Sequence, residues 1–311
     1  MIKYILKRIL LMIPVILGIS FIVFLIMSFT PGDPARLILG EKASISDVEN
    51  LREKMGLNDN FFVRYLRYVK DAVFYRDFGT SYATKIPVNA DLMDRFPETL
   101  KLAFGSTLIM VLIGVPVGII SAVKQYSLID KVTLGISLIL TSMPVFWLGL
   151  MLILLFSLKL GWLPATGADT WVNFILPCFS LAASMMASLI RMTRSSMLEV
   201  IRQDYIRTAR AKGAKEVTVI YKHALRNALL PIITIIGLNF GGLLGGTMIV
   251  ESVFALPGVG TLTINSIRMK DTPMVMASVL FVAILAGIVN LIVDILYAYV
   301  DPRIKSQYAK N

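Results

Sequence analysis

The sequence has a single cysteine, Cys178, and a single histidine, His223, among 311 residues. One cysteine excludes an internal disulfide framework. One of each excludes a His/Cys cluster at metal-ligand spacing, so no metal site is expected on this chain. Catalytic signatures are missing as well. There is no G-x-x-x-x-G-K-[ST] to cradle nucleotide phosphates, and no H-E-x-x-H, G-x-S-x-G or C-x-x-C. No nucleophile–base constellation falls inside the apolar runs, so no catalytic residue is named and a membrane-integral enzyme or receptor is disfavoured. Acidic residues are scarce: 20 Asp and Glu face 31 Lys and Arg, a net charge of +11. Nucleic acid, anionic lipid and membrane topology all attract such a charge, and its placement decides between them.

What the chain has instead is apolar length. Hydrophobic residues make up 56% of it, against about 45–50% in soluble domains, and the mean hydropathy is +0.74. The excess is gathered into six blocks, roughly Ile9–Phe29, Leu100–Val123, Val132–Leu158, Phe174–Ile190, Leu229–Val250 and Met274–Ala298. Each can cross about 30 Å of hydrocarbon at about 1.5 Å per residue. The first block exceeds a signal-peptide core and no A-x-A site follows it, so a retained helix is expected. With the N-terminus inside, the inner segments carry 17 of the 31 Lys and Arg. Nine of these lie between Arg191 and Arg226. The two short outer loops carry only Lys159, Arg268 and Lys270. This is the positive-inside bias. It assigns both termini to the cytoplasm and leaves nucleic acid without support, since no basic soluble domain or recognition motif is present. The expected fold is an all-α polytopic membrane protein with six transmembrane helices. Residues 1–30 give the N-terminal end and first span, 31–97 an extracytoplasmic helical loop, 98–300 a core of five spans with a cytoplasmic loop at 191–228, and 301–311 a cytoplasmic tail.

Three regions hold finer signals. In the outer loop, Ser46-Asp-Val-Glu49 reads as a capping box and Gly56 as the end of the helix it starts. Phe62, Tyr65, Leu66, Val69 and Val73 then recur at helical spacing, which fits a small amphipathic cap or a dock for an extracellular partner. In the fifth block, Gly237, Gly241, Gly242, Gly245 and Gly246 form three i, i+4 pairs beside Asn239 and Thr234, suited to close helix packing, a partner subunit or a path. Pro116, Pro144, Pro177 and Pro231 can kink or end four spans. Asp294, near the inner end of the last span, is an intramembrane carboxylate that serves either as a structural anchor or in ion transfer.

The third region is the basic stretch DYIRTARAKGAKEVTVIYKHALRNALLP at Asp204–Pro231. Ser196-Met-Leu-Glu199 reads as a capping box before it, and Gly213 is placed to end a helix. Val217, Ile220, Tyr221, Ala224, Leu225 and Ala228 give a second helix an apolar stripe. A topology signal, a hairpin lying on anionic lipid, and a rigid knob that docks into another protein all fit this pattern.

Ala209, Gly213 and the helix after them resemble the EAA loop of ABC importer permeases. The whole chain is similar to the dipeptide/oligopeptide/nickel branch of binding-protein-dependent systems, as a B-type subunit. That resemblance rests on an ordered series of pieces. These are TPGDPA at Thr30–Ala35, DFGTSY at Asp77–Tyr82, Pro87-Val88, RFPETL at Arg95–Leu100, SMPVFWLGL at Ser142–Leu150, GWLPATG at Gly161–Gly167, DYIRTARAKGA at Asp204–Ala214, HALRNALLP at His223–Pro231, ESVFALPGVGTL at Glu251–Leu262 and DPRI at Asp301–Ile304. Against the general EAA pattern, Arg207 stands for its Glu, Thr208 for its first Ala, and Pro231 comes five residues late, where Arg226 would be.

The resemblance implies a type I ABC importer permease fold in a bacterial or archaeal cytoplasmic membrane. It implies a homologous second permease, two ATPase subunits that bind ATP and Mg, an extracytoplasmic solute-binding protein and surrounding lipid as partners. The turn of Thr208, Ala209, Arg210, Ala211, Lys212, Gly213, Ala214 and Lys215 would couple to an ATPase. Glu251, Phe254, Pro257 and Gly258 would belong to an outer gate. The substrate implied is a di- or oligopeptide, with nickel chelates or glutathione as the alternative.

Overall fold

The computed structural model describes residues 2–300 apart from 31 and 41. Pro31 of the TPGDPA piece, the DPRI piece and the 301–311 tail therefore lie outside the described residues. The described chain is helical, with one isolated β-bridge, between Thr80 and Pro87.

The first apolar block is the C-terminal part of α1 (Ile2–Phe29). A loop then carries α2 (Pro34–Leu39), α3 (Ile45–Lys54) and α4 (Phe61–Lys70), the last prolonged by a π-helical turn at Asp71–Tyr75. Next come α5 (Val88–Val123), α6 (Leu128–Ser142) and α7 (Val145–Leu152). They are followed by α8 (Ile175–Ile201), α9 (Asp204–Ala211) and α10 (Glu216–Thr218). The described residues end with α11 (Arg226–Gly246), α12 (Met248–Val253), α13 (Val259–Arg268) and α14 (Thr272–Val300).

Five helical stretches among the described residues are long and apolar enough to cross a membrane, and a sixth crossing requires α6 and α7 to count together. The sequence reads Val132–Leu158 as one straight block, but the helix bends by 101° there. The cause is Pro144. It donates no N–H and forces Met143 out of the helical region, to φ −82°, ψ 128°. The other three prolines do not break their helices. Pro116 and Pro231 lie inside α5 and α11, and Pro177 sits in the first turn of α8, where no donor is needed.

Two helix starts differ from the sequence reading. α3 is capped by Ser44, whose side chain accepts from the Asp47 N–H, two residues before the Ser46–Glu49 box begins. The Ser196–Glu199 box starts nothing. α8 runs through it to Ile201, because Ser196 and Met197 are both buried in the helix packing. Gly56 does end α3 as expected, at φ +63°.

α8 is the central helix, and α5 packs along it more closely than along any other element. Small residues make this possible. A Cβ on Gly105 would stand 2.6 Å from Cys178 Sγ, and one on Gly118 2.6 Å from Thr193 Cβ. Gly114 and Gly118 form an i, i+4 pair that the sequence reading passed over. Among the glycines it did single out, Gly237 meets Val293, Gly241 lies 3.5 Å from Val289 and Gly245 3.1 Å from Val282, all on α14. Those three therefore serve packing within the chain. Gly242 faces open space, and Gly246 is the last residue of α11.

Candidate functional site

Two constructions stand at opposite ends of the helices. The first is the corner after α8. Gln203 breaks the helix with an extended backbone, and α9 follows. Ile206 is fully buried beneath it, in a cluster with Met197, Val219, Ile220 and Ala224. The helix stops where Gly213 takes φ +78°. The Gly213 N–H donates to the Arg210 carbonyl at 2.9 Å and the Ala214 N–H to the Ala209 carbonyl at 3.2 Å. This is a Schellman ending, which a left-handed residue at this position requires. Arg210 then reaches across the corner to Glu216 with two hydrogen bonds, at 2.7 and 3.1 Å. Arg210, one of the residues expected in the coupling turn, thus braces that turn.

Beyond the corner, α10, a π-helical stretch at Val219–Leu225 and α11 form one rod of 30 residues, Glu216–Gly245. Its buried side holds Val219, Ile220, Ala224, Ala228 and Ile232. Val217 and Tyr221, expected on that side, point outward instead. The π-helical register shift accounts for it, since i→i+5 bonding at Val219–Leu225 breaks the spacing of about 3.6 residues that the stripe assumes. The result is a projecting corner. Of its residues Ala209 and Ala214 are half-buried, while Thr208, Arg210, Ala211, Lys212, Gly213 and Lys215 are exposed. Tyr205, Val217 and Tyr221 are exposed beside them.

A buried ion pair holds the base of this end. Arg194 on α8 donates to both carboxylate oxygens of Asp130 on α6, at 2.7 and 2.8 Å. Asp130 also accepts from Ser121 Oγ at the end of α5 and from the Tyr126 N–H. Three helices thus meet at one carboxylate, which is 1% exposed. Arg194→Ala strands that carboxylate, and is expected to cost about 3–5 kcal/mol. A thermal melt of the detergent-purified protein reads this directly. The double replacement of Asp130 and Arg194 by Ala should melt above the Arg194 single variant; if it melts lower, the pair is not what holds the three helices.

The second construction is centred on Glu251. α12 and α13 pack against each other across a tight turn in which Ala255 takes φ +51°. The Glu251 side chain is fully buried. Its Oε1 accepts from Thr99 Oγ1 at 2.8 Å and Thr247 Oγ1 at 2.9 Å, and its Oε2 accepts from the Thr261 N–H at 2.9 Å. Thr99 accepts in turn from the Val259 N–H. The carboxylate therefore ties α5, the end of α11 and both short helices together. Gly258 and Gly260 lie against it, and a Cβ on either would overlap the carboxylate. Phe254 is buried against Gly149 of α7, and its carbonyl accepts from the Gly167 N–H. Of the expected gate residues, Glu251, Phe254 and Gly258 are thus brought together, and Pro257 lies in the turn between them.

A parallel clamp fixes the loop after α4. Asp271, buried at the start of α14, accepts from Ser81 Oγ and from the N–H groups of Tyr82 and Ala83. The DFGTSY piece is held there. Burial, and then the nearby Asp271 carboxylate, push the Tyr82 hydroxyl up to about 12.

The remaining sequence candidates stand apart. Asn239 reaches Met110 Sδ at 3.5 Å, and Thr234 bonds back to its own helix at the Leu230 carbonyl. Asp294 faces Arg8 of α1, with contacts at 3.1 and 3.3 Å. Sequence reading missed Asp130, Arg194, Asp271, Thr99, Thr247 and Thr261. Thr99 and Thr261 lie inside the RFPETL and ESVFALPGVGTL pieces, and Ser127-x-x-Asp130 is a helix-start pattern whose Ser127 does cap α6.

Comparisons with known proteins give a consistent answer. The model of the family described as "Binding-protein-dependent transport system inner membrane component" matches residues 114–306, and that of its N-terminal companion matches residues 1–103. The chain is similar to the oligopeptide transport system permease protein AppB of Bacillus subtilis (strain 168), 46% identical over 98% of this chain and 100% of that one. It is 41% identical to the dipeptide transport system permease protein DppB of Alkalihalophilus pseudofirmus, over 98% and 100% of the two chains. It is 42% identical to the glutathione transport system permease protein GsiC of Escherichia coli (strain K12), over 98% and 99%. Among solved structures, the MetNI methionine ABC transporter in an inward-facing conformation aligns with 68% of this chain and 97% of its own, at a TM-score of 0.59 and 22% identity. That likeness is one of fold.

Proposed function

The chain belongs to the inner-membrane components of binding-protein-dependent transport systems and is a permease subunit of an ABC importer, a multi-pass protein of the cytoplasmic membrane; from that premise we propose that it forms half of a path for di- and oligopeptides. The names of its relatives support the substrate class. In this reading a homologous permease supplies the other half, a solute-binding protein delivers the peptide, and two ATPase subunits bind ATP and Mg. The permease itself catalyses nothing. The bent α6–α7 pair counts as the sixth span, so both termini are cytoplasmic, the fold is that of a type I importer, and the 31–97 loop is extracytoplasmic.

The single observation that carries the mechanism is the corner at Ala209–Lys215. It is closed by the Gly213 Schellman ending, braced by Arg210–Glu216, and continuous with a rod about 45 Å long at about 1.5 Å per residue. A partner seated on the corner moves the rod as one body. Just past the far end of that rod stands Thr247, which bonds Glu251. The rod therefore links an ATPase contact at one face of the membrane to the Glu251 gate at the other. Asp294 serves as an anchor, holding α1 to α14 through Arg8, rather than in ion transfer.

Uptake in a deletion strain tests the substrate. Cells expressing the complete system should import a labelled dipeptide, and strains lacking this chain should not. Import of nickel or glutathione, with none of the dipeptide, would replace the peptide reading by its alternative.

A further inference from the structure

α4 carries an apolar face that the rest of the chain leaves uncovered. Its packed face is aromatic. The Phe61 ring stands 5.3 Å from that of Phe24 and 5.8 Å from that of Phe21. The Tyr65 hydroxyl lies 2.8 Å from Ser20 Oγ and donates to the Leu17 carbonyl at 3.1 Å. Of the apolar stripe legible in the sequence, Tyr65 packs on α1 and Val69 is half-buried, while the rest turns away from α1. Phe62 is 63% exposed, Leu66 64% and Val73 63%; Val63, Phe74 and Tyr75 are exposed next to them. So many large apolar side chains exposed within fourteen residues, Phe62–Tyr75, are unusual against water.

Depth identifies what covers it. α1 ends at Phe29. Its contacts with α4 fall between Leu17 and Phe24, which places them about 8–18 Å down the helix from that end at 1.5 Å per residue. α4 therefore lies beside the apolar body of α1, not above it. The surface of α1 on either side of the contact is exposed and apolar too, with Leu17, Ile22 and Ile26 turned outward. The two surfaces are continuous. The charges of α4 are placed for an interfacial helix: Arg67 pairs with Asp59, Arg64 lies over the Phe24 ring at 5.8 Å, and Lys70 is exposed at the helix end. Long basic side chains can keep their heads at the headgroup level while their stems stay in apolar surroundings.

We infer that α4 and the turn after it are a membrane-inserted element, and that the face of Phe62, Leu66, Val73 and Phe74 contacts phospholipid acyl chains. The 31–97 loop is then not only a cap over the helices. It sinks one helix into a leaflet and clamps α1 from the side. The inference rests on the membrane location of the chain alone, not on its substrate or its ATPases.

Site-directed spin labelling tests it in the complete transporter, reconstituted in phosphatidylcholine/phosphatidylglycerol nanodiscs. Cys178 is replaced by Ala, and single cysteines are introduced as Phe62→Cys, Leu66→Cys and Phe74→Cys in separate proteins. Leu11→Cys on α1 serves as the lipid reference and Lys54→Cys on α3 as the water reference. The expected result is that collision with oxygen exceeds collision with a water-soluble nickel chelate at the α4 positions, as at Leu11. A nickel-chelate signal like that of Lys54 places the face in water and overturns the inference. Low accessibility to both quenchers at all three positions shows a protein cover, from the second permease or the binding protein, and overturns it equally. Three independent positions keep the test decisive if one variant fails to assemble.

Discussion

Glu251→Ala is expected to abolish transport and to lower the melting point of the complex by several degrees. The carboxylate is fully buried and accepts from two threonine hydroxyls and one backbone N–H. Alanine leaves those donors inside the protein with no acceptor, at about 1–3 kcal/mol for each one that finds no substitute. It also opens a hole against Gly258 and Gly260, which have no side chain to fill it. The damage is concentrated where α5, α11, α12 and α13 meet. A bias of about 1.4 kcal/mol between two conformations already changes their ratio tenfold, so uptake below a tenth of wild type is expected. Glu251→Gln keeps one acceptor oxygen and nearly the same volume, and should fall between the two. Wild-type melting and uptake in Glu251→Ala would show that the hydrogen bonds at this carboxylate are incidental.

Gly213→Val is the second large effect, and it acts through the backbone rather than through space. A Cβ at Gly213 would meet no atom within 4 Å, yet the residue sits at φ +78°. An L-residue there costs about 1–2 kcal/mol, and a β-branched one more. The Schellman ending is lost, Arg210 is pulled away from Glu216, and the corner loosens. Membrane insertion should persist, because the apolar spans are untouched. Capture of the ATPases, or the coupling of hydrolysis to uptake, should fall at least tenfold. Gly213→Asn separates conformation from bulk, since asparagine tolerates left-handed backbone better than valine. It is expected to recover much of the assembly that valine loses. Equal behaviour of the two variants would remove the backbone from the explanation.

These two sites differ in how far the sequence reveals them. Gly213 ends α9 by local rules, since a glycine after a short helix needs only its neighbours to act. The spans are legible for a similar reason: their length and composition are local properties. Pro144 was visible as a possible kink, but a 101° bend that divides a block in two depends on how α7 then packs under Phe254 and α8. Glu251 was singled out by its motif, while its partners were not. Thr99 is 152 positions away in the chain, and the Ser81–Asp271 contact spans 190. No periodicity encodes such pairings. The Ser196 box shows the converse. It is a good local pattern that tertiary context overrides, because Met197 belongs to the buried side of a longer helix.

The central claim is that this chain transmits ATPase motion through the Ala209–Lys215 corner. Its most direct test is to purify the transporter by a tag on this chain, together with its co-expressed partner subunits, and to measure ATP hydrolysis and peptide uptake in proteoliposomes. The account expects two ATPase chains and one further permease in the complex, with hydrolysis stimulated by peptide-loaded binding protein and with uptake lost in Gly213→Val. A stable homo-oligomer that carries no ATPase, or a Gly213→Val transporter that couples hydrolysis to uptake as the wild type does, would contradict it.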